Sequence, residues 1–373
     1  MTFVNVSLHT SEYFHNNCIL PLFFVNAIKN IRLTEEKMII IKLHNTPSIE
    51  YSVSVVGKKE HDGPLGELFD VCDETDTFDA DTWEKAESEM QRIALDTALT
   101  RSGMSASDID ALFAGDLMNQ CTSSSYGLAN FDIPYFGLYG ACSTCAESLI
   151  LSSILVDSGK FKKAAAVCSS HNCSAERQFR FPLEYGGQRT PTSQWTVTGA
   201  GAFILGESDA EHPRITAVMP GKVVDRGISD VNNMGAAMAP AAIDTIGKYF
   251  RESGDSPDDY DAIVTGDLGF EGSSILVDML KSDGIDISKR HRDCGLLIYD
   301  REKQDTHADG SGCGCSAVVL AAHFLPKLRC GEMKKILFTA TGAMMSPTSL
   351  LQGLTIPGIA HLLKIEMPQG RLL

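Results

Sequence analysis

The sequence lacks a long apolar run and lacks an excess of positive charge. No 18 consecutive apolar residues occur among its 373, so we expect no transmembrane helix. Lys and Arg number 32 against 48 Asp and Glu, which gives a net charge of −16. A nucleic-acid-binding protein would show a basic surface, and broad adhesion to anionic lipid would need one too. Neither class fits, although this charge is compatible with a small basic pocket for an anionic ligand.

A disulfide framework is also not expected, despite eleven cysteines. An odd number of cysteines in a long chain with no convincing export signal indicates a reducing compartment. The pairs Cys142/Cys145 and Cys313/Cys315 open predicted helices, whereas structural zinc sites usually use longer knuckle spacings. We therefore expect no metal centre among these cysteines. A redox pair at Cys142 and Cys145 stays open as an alternative.

What the sequence does have is a cysteine at the start of a predicted helix. Gly140-Ala-Cys-Ser-Thr144 follows the apolar run 133–139, which predicts a buried strand, and opens a helix predicted over 142–156. Unpaired backbone N–H groups and the helix dipole favour a thiolate there, so we expect a lowered pKa for the Cys142 thiol. Such a cysteine is a candidate nucleophile for acyl groups. The alternative is a small residue buried where strand and helix pack closely.

The chain also repeats itself once. Two segments recur at offsets of 151 and 172 residues, and the second offset places the Cys142 turn on a second cysteine-containing turn. A period of this size indicates gene duplication and two similar halves rather than a solenoid of short repeats. The matching segments are 108–117 with 259–268, 159–167 with 331–339, and 140–143 with 312–315.

Strands alternate with helices in both halves, which indicates a mostly parallel sheet in each. We predict an α/β fold, a five-layered α-β-α-β-α sandwich from two duplicated halves, 38–208 and 209–373. Residues 1–37 look unlike the rest and are expected to be a divergent, dispensable leader or a mis-assigned start, since Met38 opens a natural strand. Further local predictions are a charged surface loop over 57–66, a helix over 79–102 ending at Gly103, a strand over 294–299 and a helix over 315–328.

Ligands of open α/β sheets bind beyond the carboxyl ends of the strands. Polar and thiol side chains follow several predicted strands, so they are candidate site residues: Asp116, Asn119, Cys142, His171, Asn172, Asp267, Ser311 and Cys313. A segment without counterpart in the second half, 172–196, adds three cations, Arg177, Arg180 and Arg189. Long insertions in a duplicated fold are where specificity usually resides.

Taken together, these residues resemble the thiolase-like superfamily and, within it, the stage V sporulation protein AD family of spore-forming bacteria. The resemblance runs over roughly residues 55–361 and does not include 1–37. The segments that carry it are 59–66, 115–120, 136–144, 169–172, 175–180, 184–188, 238–242, 258–261, 293–296 and 310–313.

The resemblance implies a protein that binds dipicolinic acid, or its calcium chelate, for uptake into the developing spore. It implies other stage V sporulation A membrane subunits as partners, a homodimer, and a cytoplasmic protein held at the forespore or spore inner membrane through those partners. No cofactor is implied apart from calcium accompanying dipicolinate. The fold implied is that of the thiolases.

Condensing enzymes need a thiolate, a base and donors for the oxyanion. Cys142 matches the nucleophile position of the superfamily, but the second-half loops 265–268 and 309–315 contain neither the His nor the Asn of ketoacyl-synthase-like relatives. Asp267 is a poor replacement because a carboxylate cannot donate a hydrogen bond. His171 is the remaining candidate base, with capping of its own loop as the alternative.

Three hypotheses follow for the function. The first is a binding protein on a repurposed scaffold. The second is an active acyltransferase or ketoacyl-synthase-like enzyme that uses Cys142. The third is an assembly subunit with a vestigial pocket.

For a dipicolinate-binding protein, arginines suit the ligand carboxylates because the planar guanidinium pairs with them bidentately. Arg177, Arg180 and Arg189 are the candidates, with surface ion pairs as the alternative. Asp116, Asn119 and Asp267 offer hard oxygen atoms for an accompanying calcium ion, although capping and turn roles suit them as well.

Overall fold

Twelve strands form one continuous sheet, in which each half of the chain contributes its own sheet with the same strand order, while two further short strands, Trp195–Thr196 and Gly310–Ser311, pair separately. The computed structural model describes residues 40–179 and 189–368, and the fold below belongs to the contact unit Met38–Leu373. The strands are β1 Ile41–Lys42, β2 Ser48–Gly57, β3 Val71–Asp73, β4 Ala111–Gly115, β5 Tyr135–Leu138, β6 Ala164–Ser170, β7 Trp195–Thr196, β8 Gly199–Gly206, β9 Arg214–Met219, β10 Ala262–Thr265, β11 His291–Asp293, β12 Gly310–Ser311, β13 Lys335–Ala343 and β14 Gly358–Glu366.

Helices connect these strands and cover their faces. The α-helices are α1 Lys58–His61, α2 Trp83–Ser102, α3 Thr122–Leu128, α4 Thr144–Asp157, α5 Asn172–Phe179, α6 Met234–Ser253, α7 Gly269–Ser282, α8 Cys294–Ile298, α9 Cys313–Val319, α10 Leu325–Arg329 and α11 Pro347–Leu351. A π-helical turn, Leu320–Phe324, joins α9 to α10, and a 3₁₀ turn, Ala141–Ser143, precedes α4. None of the helices in the described ranges is both long and apolar enough to cross a bilayer.

The duplication predicted from the sequence is confirmed by the sheet topology. The first half orders its strands β5-β4-β6-β8-β2, and the second half orders the equivalent strands β11-β10-β13-β14-β9. In each half the first three strands of this order are parallel, the fourth runs antiparallel to them, and the fifth is antiparallel to the fourth. The two sheets join at the pair Ser48–Arg214.

Five layers result from how the helices pack on these sheets. Helices α2 and α3 cover one face of the first sheet, and α6 and α7 cover one face of the second. Helices α4 and α9 lie between the sheets and contact both of them. Side-chain alternation along β6 shows the arrangement, because Ala165 and Val167 pack toward α2 whereas Ala166 and Cys168 face the central layer.

The central helix α4 has apolar or small side chains on all its faces, as expected of a helix enclosed on both sides. Its Ser148, Ser152 and Ser153 are fully buried, and small residues of this kind allow close approach of the neighbouring strands. Six of its fourteen residues are Leu, Ile or Val, which also suits a buried position.

Helix α2 confirms one local prediction, and α8 overturns another. Helix α2 begins after Thr82, whose hydroxyl accepts from Lys85 N, and ends at Gly103 in the left-handed conformation (φ 68°). The strand predicted over 294–299 is instead helix α8, preceded by the short strand β11. The Asp293 carboxylate caps α8 by accepting from Leu296 N at 3.2 Å. The periodicity of a short apolar run does not distinguish a helix from a strand. The Asp293 cap favours the helix here.

Strand β5 forms one edge of the first sheet. It pairs with β4 only, and its Tyr135 and Phe136 are 39% and 49% exposed. The expectation of a buried strand before Cys142 was therefore wrong. Side chains of an edge strand lack a neighbouring strand on one side, so they are less covered than those of a central strand.

Candidate functional site

A pocket of about 280 Å³ is lined by residues of both halves, and Cys142 lies in its wall. The first half contributes the end of β4, the Cys142 turn and helix α5. The second half contributes two segments, 231–234 and 343–346, together with Ser311. Most of the lining side chains are apolar, and the polar ones are Asn119, Tyr139, Cys142, Glu176, Thr196, Asn232, Ser311 and Ser346.

The turn that presents Cys142 is held in an unusual backbone conformation. Ala141 has φ 52°, in the left-handed region that residues with a side chain seldom occupy. Gly342 on β13 allows this turn to approach, since a Cβ there would lie 2.7 Å from Gly140 O and 3.0 Å from Ser143 N. A glycine is required at 342 for packing, and the strained turn aims Cys142 into the pocket.

Cys142 belongs to a buried polar network from the second half. Its sulfur lies 4.0 Å from the Ser311 hydroxyl oxygen, which in turn donates to Asp267 Oδ2 at 3.2 Å. Asp267 also accepts from Gly312 N at 2.9 Å and from the Thr341 hydroxyl at 2.8 Å. The predicted site residues Cys142, Asp267 and Ser311 are therefore brought together, across the two halves of the chain.

The expectation of a lowered pKa for Cys142 is wrong. Burial raises the pKa of the Cys142 thiol well above its ordinary value, and the nearby Asp267 carboxylate raises it further. The first turn of the helix does not compensate, because a dipole effect of about 1 kcal/mol is smaller than the cost of burying an uncompensated thiolate. Cys142 is a protonated thiol in this arrangement, not an activated nucleophile.

Asp267 gives the site a pH dependence with a defined sign. Burial raises the pKa of Asp267 to about 6. The folded protein then holds this proton more tightly than the unfolded chain, so its stabilising contribution is lost as pH rises through about 6. Between about pH 4 and pH 7 we expect wild type to lose up to about 3 kcal/mol more unfolding free energy than Asp267→Asn, measured by urea unfolding. Identical pH slopes in both proteins would contradict the assignment.

His171, the candidate base, lies away from the pocket lining. Its Nδ1 accepts from Cys173 N at 3.1 Å, and its Nε2 lies 2.9 Å from Asp76 O and donates to it. Burial lowers the pKa of His171. Both ring nitrogens are occupied by the backbone, so this neutral histidine caps its own loop, which is the alternative stated above.

The remaining predicted residues of the first half divide between pocket and packing. Asn119 lines the pocket and accepts from the Tyr139 hydroxyl at 3.0 Å. Asp116 is buried, where its carboxylate accepts from Met118 N and from the backbone and hydroxyl of Ser124. Asn172 donates its backbone N–H to Thr198 Oγ1 at 3.2 Å. Asp116 and Asn172 therefore serve the turns around the site rather than its surface.

Cys313, predicted from the second half, is also fully buried. Its thiol donates to Ser169 O at 2.8 Å. Cys313 is not among the described residues that line the pocket. It packs α9 against the end of β6, while its neighbour Ser311 reaches the pocket.

The predicted arginines do not approach the pocket where the structure describes them. The Arg177 guanidinium pairs with Glu84. Arg189 pairs with Asp305 at 2.6 Å and stacks over the Trp195 ring. The prediction for Arg180 lies outside the described residues. Arg177 and Arg189 therefore match the surface ion pairs that were the alternative.

Sequence reasoning missed Thr341 and Glu60. Thr341 is the repeat counterpart of Ser169 at the offset of 172, so the duplication held a signal for it. Glu60 lies in the segment expected to be a surface loop, yet it is fully buried, hydrogen-bonded to the Tyr299 hydroxyl, and accepts from Thr198 N at 2.9 Å. Burial raises the pKa of Glu60 to about 7. Its neighbours come from residues 198 and 299, which no local pattern indicates.

The pocket segments 231–234 and 343–346 were also missed. They lie outside the segments that recur in the two halves, and they carry no charged side chain. Nothing in their sequence therefore indicates that they belong to a site. Their place in the pocket depends on the packing of the second half against the Cys142 turn.

Comparisons with known proteins agree with this architecture. The sequence profile of the stage V sporulation protein AD family matches residues 38–366. Stage V sporulation protein AD of Bacillus subtilis (strain 168) is 46% identical over 317 residues, covering 85% of this chain and 93% of that protein. Among solved structures, a variant of Xanthomonas campestris OleA has a TM-score of 0.56 at 15% identity, covering 87% of this chain and 99% of that one. The 3-oxoacyl-[acyl-carrier-protein] synthase III of Aquifex aeolicus VF5 has a TM-score of 0.51 at 15% identity, covering 85% and 99%.

The two solved structures show the fold alone, and it belongs to the thiolase-like class of folds. Within that class the chain belongs to the stage V sporulation protein AD family.

Proposed function

We propose that this protein binds dipicolinic acid, as its calcium chelate, in the Cys142 pocket and takes part in its uptake into the developing spore. One observation carries the choice of binding over catalysis. The pocket thiol has a raised pKa, and the lining residues that the structure describes include no His, Lys or Arg. A condensing enzyme needs a base for its thiol and for the incoming carbon acid.

The pocket is suited to a small planar molecule. Its volume of about 280 Å³ is near the lower end of the range for ligand sites. Apolar side chains such as Leu117, Phe179 and Met345 offer contact surface to an aromatic ring. Asn119, Asn232 and Ser346 place polar groups among them to orient the ligand.

Charge favours the chelate over the free dianion. Glu176 is the charged side chain among the described lining residues, and a second negative charge beside it is costly in a partly enclosed pocket. Calcium neutralises the two ligand carboxylates. It also accepts further oxygen ligands of the carboxylate and amide kinds, which Glu176, Asn119 and Asn232 carry.

A second candidate is acyl transfer onto Cys142. The observation in its favour is the strained turn at Ala141 (φ 52°), which presents the thiol to the pocket. Strain of this kind concentrates at functional sites. In that function Asp267, as a carboxylate in contact with the thiol, is the group that takes its proton.

Comparison of wild type with Cys142→Ala tests the choice between these functions. We expect the variant to keep its dissociation constant for calcium dipicolinate within about threefold, because the sulfur contributes only part of the wall. Isothermal titration calorimetry measures this. We also expect the intact mass of the wild-type protein to stay unchanged after incubation with acetyl-CoA. Acetylation of wild type that disappears in Cys142→Ala, without dipicolinate binding in either protein, would favour acyl transfer.

The proposed partners are a second copy of the chain and the stage V sporulation A membrane subunits. Strand β5 supports the first, because an exposed edge with aromatic side chains is suited to strand pairing. Sedimentation equilibrium of the full chain measures its mass in solution. Peripheral location at the forespore inner membrane follows in this proposal from the membrane subunits.

A further inference from the structure

We propose that His61, Cys72 and Glu74 form a zinc site, separate from the Cys142 pocket. In the part of the chain that the structure describes, they are the one set of three His, Cys, Asp or Glu side chains whose donor atoms all lie within 4.8 Å of one another. The cysteine pairs considered from the sequence do not take part.

The backbone brings these three residues together from two elements. Strand β2 ends at Gly57 and passes directly into α1, whose last residue is His61. Strand β3 pairs in parallel with the end of β2, with Cys72 opposite Val56 and Asp73 opposite Gly57. Cys72 lies in β3 and Glu74 in the turn directly after it, and their donor atoms lie within 4.8 Å of the His61 ring nitrogen at the end of α1.

The donor set fits zinc better than calcium or magnesium. Imidazole nitrogen, thiolate sulfur and carboxylate oxygen are the three ligand types that zinc accepts, whereas the lighter cations require oxygen. Three protein ligands leave the fourth tetrahedral position for water. His61 and Cys72 are half-buried and Glu74 is exposed, so the set is accessible to an ion from solvent.

The ligands have few competing partners. No hydrogen bond joins the His61 ring to another described residue, and the Cys72 sulfur makes only a long contact of 3.8 Å with Gly57 O. Glu74 pairs with Lys58 at 2.9 Å, and Lys58 also lies 3.5 Å from Asp62. The Lys58 ammonium therefore neutralises Glu74 in the absence of zinc. When zinc binds Glu74, this ammonium must move toward Asp62.

Zinc at this position would tie α1 to β3. Helix α1 carries Glu60, whose carboxylate accepts from Thr198 N and is hydrogen-bonded to Tyr299 of the second half. The segment 59–66 is one that the sequence singled out and that dipicolinate binding does not use. Fixing α1 is thus expected to stabilise the contact between the halves, not the pocket itself.

Cobalt(II) titration of the full chain tests the site, because a cobalt–thiolate bond gives a charge-transfer absorption in the near ultraviolet. We expect this band at one equivalent, its loss on addition of zinc, and its absence in Cys72→Ser. The matched control is Cys330→Ser, which removes an exposed thiol at the end of α10 and should keep the band. A band that persists in Cys72→Ser, or no band in wild type, would overturn the proposal.

Lys58→Ala supplies an independent test in the opposite direction. Removing the ammonium frees Glu74, so we expect zinc affinity to rise about two- to fivefold, as measured by competition with a chromophoric chelator. Lys58 is half exposed, so the variant is expected to fold. His61→Gln should instead weaken binding at least ~tenfold. Unchanged affinity in both variants would mean that zinc binds elsewhere or without selectivity, which would overturn the proposal.

Discussion

Val231→Trp is expected to raise the dissociation constant for calcium dipicolinate at least ~100-fold, a loss of about 2.7 kcal/mol of binding free energy. Val231 lines the pocket and is 36% exposed, so an indole at this position can enter the pocket without disturbing the core. The indole then occupies the volume that the ligand needs. Isothermal titration calorimetry measures the dissociation constant.

Val223→Trp is the matched control for this experiment. It makes the same substitution on a 53% exposed valine that does not line the pocket. We expect unchanged ligand affinity in Val223→Trp and unchanged melting temperature in both variants. Equal affinity of the two variants would place the ligand outside the Cys142 pocket.

The largest stability loss is expected from Asp293→Ala, at about 3–5 kcal/mol of unfolding free energy. The Asp293 carboxylate is buried and accepts from the Thr265 hydroxyl at 2.6 Å, Leu268 N at 2.8 Å and Gly269 N at 3.1 Å, in addition to Leu296 N. Alanine leaves these donors without a partner at the starts of α7 and α8. Chemical denaturation at neutral pH measures the loss.

Asp286→Ala provides the comparison for that loss. Asp286 is an exposed turn residue that accepts from the backbone and hydroxyl of Ser288. Solvent replaces these hydrogen bonds, so its loss should stay below about 1 kcal/mol. If Asp293→Ala were as mild as Asp286→Ala, the proposed role of Asp293 in joining β11 to the two helices would be wrong.

The layered fold could be predicted because its evidence lies along the chain. Each half alternates apolar strands with helices, and the match of 108–117 with 259–268 identifies equivalent strands, β4 and β10. Helix caps such as Thr82 and Gly103 act within a few residues, so they were recognisable too. Cys142, Ser311 and Asp267 followed from the same strand ends.

The electrostatics of the site could not be predicted in this way. Cys142 is at the start of a helical segment, as expected, but its thiol pKa depends on burial and on Asp267, which lies far along the sequence in the second half. Arg177 was a candidate for the ligand because of its guanidinium and its place in the segment 172–196, whereas Glu84 on α2 pairs with it. In both cases the deciding neighbour comes from a distant part of the chain.

The burial of Glu60, unlike the exposure of the charged residues beside it, could not be predicted from the sequence. The sequence around it reads as a polar surface turn, and Lys58 and Lys59 beside it are at least partly exposed. Its carboxylate is buried, and its hydrogen-bond partners Tyr299 and Thr198 come from distant parts of the chain. A polar segment therefore does not reveal which of its side chains faces the core.

Calorimetric titration of the wild-type full chain with dipicolinate, in the presence and absence of calcium, tests whether the protein binds this ligand. We expect saturable binding at one site per chain and tighter binding with calcium, because the chelate carries no net charge into a pocket that contains Glu176. Heats that do not saturate under either condition would contradict this expectation. Tighter binding of free dipicolinate than of the chelate would contradict the charge argument and direct attention to Arg180.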